Sequence, residues 1–201
     1  MRTHIRIVAG SLRGRKLSCT VNANLRPTPQ RVREALFSIL GNAVPERPFF
    51  DIFTGTGVVG FEAISRGASC VTFIERDFRL IAELERHIDA FGIGRNARIA
   101  RTDVYRWFEH WQAPDEAVTV FLSPPFRDFE QRLDELLNVI AQLQQRVRPG
   151  SVIVLQAESK APLDELPARS DWDERRYGRN HLLIWVKNEP PRRQERQEDE
   201  A

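Results

Sequence analysis

Three short stretches carry groups whose types and spacing can do chemistry. The first is Asp51-Ile-Phe-Thr54-Gly55-Thr56-Gly57-Val-Val-Gly60, with G-x-G-x-x-G spacing behind an apolar run. Glycines at a strand-to-helix turn let the backbone approach a ligand closely. Glu75 follows 20 residues after Gly55, at the end of the next apolar run. A carboxylate there accepts hydrogen bonds from the ribose hydroxyls of an adenosine. The second stretch is Asp103-Val104, where an acid can accept from an adenine amino group while the valine packs on the ring. Asp103 also reads as an ordinary helix N-cap, and the two roles are compatible.

The third stretch is Leu122-Ser123-Pro124-Pro125-Phe126, after another apolar run. Two prolines fix the backbone and remove two N–H donors, which leaves carbonyls free to face a ligand. The aromatic after them can stack on a base. An exocyclic amine on a purine is a poor nucleophile because its lone pair is conjugated with the ring. A side-chain oxygen and a rigid carbonyl that accept its two hydrogens can hold the nitrogen in line with a methyl carbon, and positioning then carries most of the catalysis.

Nicotinamide dinucleotides and S-adenosylmethionine both use such a glycine loop. Asp51, Thr54 and Thr56 favour the second, since these polar groups suit a methionine ammonium and carboxylate. A pyrophosphate favours bare helix amides with no carboxylate nearby.

These motifs need elements to hold them. Residues 4–9 alternate as a strand, and Lys16–Thr20 can pair back on it. Thr28 reads as an N-cap and Pro29 as the first position of a helix carrying Val32, Leu36, Ile39 and Leu40. Strands are expected over 49–53, 70–74, 98–101, 118–122 and 151–157. Helices fall between them: 58–65, one capped by Asp77 with Phe78, Ile81, Leu84, Ile88 and Phe91, 105–110, and one long helix over 129–147. Residues 172–177 and 181–186 form a closing pair. This alternation predicts an α/β fold, a mostly parallel doubly wound sheet covered on both faces.

The chain has 201 residues and a net charge of +2. That length suits one domain. No run of about 18 apolar residues exists, so no membrane-spanning helix is expected. The N-terminus lacks a signal-peptide h-region, and the cytoplasm is the expected compartment. Cys19 and Cys70 alone make a disulfide framework or a cysteine zinc site unexpected, and His4, His87, His110 and His181 lack metal-ligand spacing. Trp107 and Trp111 read as packing. Residues 1–40 hold Arg2, Arg6, Arg13, Arg15, Lys16, Arg26, Arg31 and Arg33 against Glu34 alone. A basic segment on a mildly acidic body points to a polyanion. Arginines at a helix start oppose its dipole, so Arg26, Arg31 and Arg33 are expected to face an external anion.

With these residues in view, the sequence resembles the bacterial 16S ribosomal RNA guanine-N2 methyltransferases of the class I, Rossmann-like fold. The resemblance covers about residues 5–186. It rests on Arg6–Leu17 as an opening hairpin, Arg26-Pro-Thr-Pro-Gln-Arg31-Val-Arg-Glu-Ala-Leu-Phe-Ser-Ile-Leu40 as the most specific motif, Asp51–Ala68, and Tyr177-Gly178. It implies a seven-stranded sheet. The division would be a basic hairpin extension over 1–25, a methyltransferase domain over 26–187 and a disordered charged tail over 188–201. It implies S-adenosylmethionine as cofactor, held by Asp51, Thr54, Gly55, Thr56 and Gly57 at the methionine end, Glu75 at the ribose, and Asp103 with Val104 at the adenine. Ser123, Pro124, Pro125 and Phe126 would hold the target guanine. Arg6, Arg13, Arg15, Lys16, Arg26, Arg31 and Arg33 would grip the RNA. The partner would be 16S ribosomal RNA in the assembled or partly assembled small subunit. The protein is expected to be a monomer that needs neither metal nor membrane. The family carries Asp where this chain has Ser123, while the eukaryotic cap trimethylguanosine synthases use a similar Ser-Pro-Pro-aromatic motif on the same guanine nitrogen. Methylation of another base amine, or a non-catalytic RNA-binding assembly factor, remain the alternatives.

Overall fold

The computed structural model describes residues 2–21 and 25–188. Residues 22–24 of the expected hairpin extension, and nearly all of the expected tail, lie outside the described residues.

The chain opens with an antiparallel pair, β1 (Arg2–Arg6) and β2 (Lys16–Thr20). Next come α1 (Gln30–Leu40), β3 (Pro48–Ile52), α2 (Val58–Ser65), β4 (Cys70–Glu75), α3 (Phe78–Phe91) and β5 (Ala97–Arg101). The second half holds α4 (Val104–His110), β6 (Thr119–Leu122), α5 (Phe126–Gln131), α6 (Leu133–Arg146), β7 (Val152–Glu158), β8 (Asp173–Tyr177) and β9 (Asn180–Val186). β3 to β9 form one seven-stranded sheet in the order β5-β4-β3-β6-β7-β9-β8. The first five of these strands are parallel, and β9 and β8 close the edge antiparallel. The order reverses between β3 and β6, and ligands of open α/β sheets bind outside the carboxyl ends of strands at such a point.

Strand alternation sorts the side chains into two layers. Phe49, Val71, Phe73 and Phe121 face a core shared with α1, α2, α3 and the hairpin. Phe50, Ile52, Ile74, Val120 and Leu122 face a second core with α4, α5 and α6. Asp51 is in phase with Phe49, so its carboxyl points toward α2, where it accepts from the Gly60 N–H at 3.0 Å.

Three expectations need correction. Thr28 does not cap α1: its hydroxyl donates to Gln156 Oε1 at 2.9 Å. Pro29 takes the cap position in extended geometry, with φ −57° and ψ 148°, and the helix starts one residue later than expected, at Gln30. The expected long helix over 129–147 is two helices. Pro125 caps α5, which therefore starts at Phe126, and the chain leaves helical geometry at Arg132 (φ −138°, ψ 31°). Arg33 does not face an external anion. It is 1% exposed, and it donates to the Thr28 carbonyl at 2.7 Å and the Arg6 carbonyl at 2.9 Å. Residues 33, 36, 37 and 40 all lie on the buried stripe of α1, which carries Arg33 inward.

The hairpin is docked on α2 by polar contacts at depth. Glu62 is 0% exposed. Its carboxylate accepts from the Val8 N–H at 3.0 Å, the Ala9 N–H at 3.1 Å and Arg66 Nε at 3.0 Å. One turn on, Ser65 takes the Leu12 N–H on its hydroxyl and the Ser11 N–H on its carbonyl. At Gly10, φ +80°, a Cβ would stand 1.7 Å from the Ser65 carbonyl oxygen, so only glycine allows this approach. Glu62→Ala leaves two main-chain donors and one guanidinium without their acceptor. It should cost about 3 kcal/mol, read as a fall of roughly 6–12 °C in melting temperature. A change under about 2 °C would contradict this role for Glu62.

Candidate methyl-transfer site

The carboxyl edge of the sheet gathers the three motifs. β3 runs into the glycine loop through Phe53, whose φ of 61° is left-handed and uncommon for an aromatic residue. The Thr54 N–H reaches the Ile74 carbonyl of β4, and the Ser123 N–H reaches the Ile52 carbonyl of β3. The glycine loop, which continues β3, is thus tied to β4 on one side, and the Ser-Pro-Pro loop is tied to the end of β3 on the other. The Thr54 hydroxyl donates back to the Asp51 carbonyl at 2.6 Å, and Thr56 is buried beside it. Gly57, at φ 73°, has no room for a Cβ, which would lie 2.3 Å from Leu84 Cδ2.

Acids dominate this edge. Glu75 accepts the Gly55 N–H on Oε2 and the Arg76 and Asp77 N–H groups on Oε1, each at 2.9 Å. A carboxylate has about four lone-pair sites, so room for another donor remains. Asp103 caps α4 by accepting the Tyr105 N–H at 3.0 Å. Its other oxygen takes Arg76 Nη1 at 2.8 Å, with Arg132 Nη1 at 3.6 Å. Val104 is buried directly behind it. Asp51 is 1% exposed. Burial, with a smaller contribution from nearby Glu75, pushes its carboxyl up to about 8 against the opposing Gly60 bond. Burial first, then the bond to Asp128, raises the Tyr105 phenol above its ordinary range, so it stays a donor.

The Ser123 hydroxyl lies in the loop opposite, half-buried, between β6 and the two prolines. Phe126 is 36% exposed although it opens a helix. The cradle fits the methionine and adenosine ends of S-adenosylmethionine: a loop pressed too close for side chains, a buried acid below it, and acids at the ends of β4 and β5. Among the described residues no three His, Cys, Asp or Glu side chains gather as a metal site.

The basic residues divide into two places. Arg26 lies at this edge, 3.8 Å from Glu158 at the end of β7, and exposed Arg31 is in the first turn of α1. Arg13 and Arg15 flank the turn held by Ser65, at the far end of α2. Eight helical residues span about 12 Å, so this turn lies near the opposite edge of the sheet. Arg15 also covers the Phe91 ring at 5.6 Å. Exposed Arg6 and Lys16 form the adjacent hairpin pair.

Some residues at the site carry no strong sequence signal. Tyr105 and Arg132 sit inside helical patterns. Leu25 follows a stretch without periodicity, yet its Cδ1 would lie 3.0 Å from a Cβ at Gly55. Glu62 did carry a signal: one acid inside an eight-residue helix that is buried throughout.

A pH prediction follows from Asp51. Its folded value lies above its unfolded value of 3.8. Folding therefore binds a proton, and this group's contribution falls as pH rises from about 4 to about 8, then levels. Asp51→Asn keeps an acceptor for Gly60 and removes the titration. Its unfolding free energy should vary less over that window than the wild type's, measured by urea titration in several buffers. Parallel curves would contradict the assignment.

Comparison with known proteins agrees with this geometry. Residues 5–186 match a family described as Conserved hypothetical protein 95. The chain is 33% identical over 164 residues to ribosomal RNA small subunit methyltransferase D of Escherichia coli K12, covering 82% of this chain and 80% of that protein. It is 31% identical over 151 residues to a putative rRNA methyltransferase, YlbH, of Bacillus subtilis, covering 74% and 80%. Among solved structures, the putative methyltransferase yhhF from Escherichia coli superposes with a TM-score of 0.74 at 30% identity, over 92% of this chain and 99% of that one. The Thermus thermophilus 16S rRNA N2 G1207 methyltransferase RsmC, solved with AdoMet and guanosine, shares the fold at TM-score 0.69 and 20% identity, over 94% of this chain and 50% of that one. The chain belongs to the bacterial rRNA methyltransferase family described as Conserved hypothetical protein 95, and its fold is the class I, S-adenosylmethionine-dependent one.

Proposed function

We propose that this protein methylates the exocyclic N2 amine of a guanine in 16S ribosomal RNA, within the small subunit or its assembly intermediate. The observation that carries the reading is the pairing of loops around β3. The acid-lined glycine loop leaves the end of β3, and the Ser123–Phe126 loop leaves the adjacent end of β6 and is bonded to β3, so a methyl donor and a planar base can meet between them. One named relative is a ribosomal RNA small subunit methyltransferase and another a putative rRNA methyltransferase, and one structural neighbour is an N2-guanine enzyme.

S-adenosylmethionine supplies an electrophilic methyl on a sulfonium when bound. Asp51, Thr54, Thr56 and the amides of Gly55 and Gly57 would hold its methionine end. Glu75 would take a ribose hydroxyl on its remaining site, and Asp103 with Val104 would hold the adenine. The target guanine must leave its stack to reach the loop. Phe126 stacks on it, while the Ser123 hydroxyl and the Pro124 carbonyl accept its amine hydrogens. The bound donor would supply the methyl to the guanine nitrogen and leave as its neutral thioether, and the proton the amine gives up would pass to solvent water. Serine is neutral and shorter than aspartate. Loss of a charge-assisted bond costs about 1.5–3 kcal/mol, a roughly ten- to hundredfold lower rate than an aspartate there would allow.

The basic residues would grip RNA phosphates from two places, Arg26 and Arg31 beside the site and Arg6, Arg13, Arg15 and Lys16 along the hairpin. The hairpin extension and the 26–187 domain then act as one body, working as a monomer in the cytoplasm.

Glu75→Ala should weaken S-adenosylmethionine binding at least tenfold by calorimetry, as expected for a lost charged hydrogen-bond set; unchanged affinity would remove the ribose assignment. Labelled methyl should pass to small subunits from cells lacking this protein and not to naked 16S RNA. Changing Arg26 and Arg31 together should lower the slope of log K against log salt by about 2. The same slope in that variant would place the phosphate contacts elsewhere.

A further inference from the structure

Tyr105 meets Asp103, Phe53 and Asp128, which belong to three different segments around the site, and none of the chemistry above uses it. Its main-chain N–H is capped by Asp103, the adenine wall. Its ring meets the ring of Phe53 edge-on, at 5.9 Å and 69°. Phe53 is the glycine-loop residue at φ 61°. The Tyr105 hydroxyl donates to Asp128 Oδ2 at 2.9 Å. Asp128 is 6% exposed and stands in the first turn of α5, two residues after Phe126. Its N–H reaches the Pro125 carbonyl at 2.9 Å, so it is fixed to the proline pair. Above the ring lies the guanidinium of Arg132, 3.6 Å from the centroid, at the break between α5 and α6. Arg132 also pairs with Glu135 and approaches Asp103.

We infer that Tyr105 is the positioning residue that sets the distance between the cofactor wall and the base-binding loop, acting through its bond to Asp128. The inference rests on the methyl-transfer reading and deepens it.

The physical reasoning is direct. In-line transfer requires the amine nitrogen and the methyl carbon to be held within tenths of an ångström of the reactive geometry, and misplacement by 1 Å costs about a hundredfold. The two partners sit on different loops, one after β3 and one after β6. Past the β3–β6 ladder, the bond from the Ser123 N–H to the Ile52 carbonyl ties them together. Beyond it the Ser-Pro-Pro stretch has few donors of its own, because two of its residues are prolines. A second tie farther out is needed to fix the angle of the loop. The Tyr105–Asp128 bond is that tie. It is buried and made to a carboxylate, and such bonds are short and strong. The helix break follows from the same arrangement. Residue 132 leaves helical geometry and its cation lies over the ring, beside a bond whose two partners are buried. Phe53 gains as well. A left-handed aromatic residue persists only when its surroundings hold it, and the Tyr105 ring is packed against it.

The test compares kcat and KM of variants with labelled S-adenosylmethionine and small subunits, alongside melting temperatures. Tyr105→Phe keeps the ring and removes the bond. We expect kcat to fall about tenfold while S-adenosylmethionine affinity, by calorimetry, changes less than about twofold. Asp128→Asn retains an oxygen that accepts from the phenol and should keep kcat within about twofold of the wild type. The double variant Tyr105→Phe, Asp128→Leu removes both polar partners. It should recover melting temperature relative to the single change and leave kcat low. Recovery of kcat together with stability would overturn the inference, since a purely structural bond behaves that way. So would a wild-type kcat in Tyr105→Phe. If the wild type itself transfers no methyl to subunits, the methyl-transfer reading fails separately. The strut is then read by amide exchange over residues 126–132, which must speed up in Tyr105→Phe; unchanged exchange overturns it.

Discussion

The fold turns on the carboxylate of Glu62, buried without solvent contact in α2. It accepts the main-chain donors of Val8 and Ala9 and the Arg66 guanidinium. A buried acid is costly unless its oxygens are filled, and here the N-terminal segment fills them. The same helix opens at Gly57, in the glycine loop, and receives Asp51 through the Gly60 amide. One short helix therefore carries the glycine loop, the proposed methyl-donor cradle, at one end and the basic turn at the other. Arg33 completes the arrangement from α1 by holding the Arg6 and Thr28 carbonyls. The hairpin and the segment over the glycine loop share one buried scaffold.

The site itself is an electrostatic design of acids at strand ends. Glu75 and Asp103 are pinned by backbone amides, so their orientation is set before any ligand arrives. Preorganised groups of this kind cost little reorganisation when a polar ligand docks. Asp51 differs, since burial holds it near 8. A cationic ammonium brought close would favour its charged form. The opposing loop is nearly without charge at Ser123, and its stiffness comes from Pro124, Pro125 and the tie through Asp128.

Much of this was legible in the sequence where the signals are local. The glycine spacing, Glu75 at the next strand end and the caps at Asp77 and Asp103 depend on a few neighbouring residues. The strand–helix alternation gave the sheet. What failed was decided by tertiary packing. Arg33 reads as one more basic residue beside Arg31, yet residues 33, 36, 37 and 40 share a buried stripe, and position in that stripe outweighs residue type. Thr28 looked like a cap, but a partner 128 residues away, Gln156, claims its hydroxyl. The break at Arg132 has no glycine or proline to announce it. It coincides with a contact to another helix, where the Arg132 guanidinium lies over the Tyr105 ring.

The central claim is that one chain brings a sulfonium methyl and a guanine N2 amine together between β3 and β6. The most direct measurement is nucleoside analysis of small subunits methylated by the purified protein with labelled S-adenosylmethionine. The account predicts label in N2-methylguanosine alone. Label in N6-methyladenosine, or binding of the donor with no label in RNA, would contradict it.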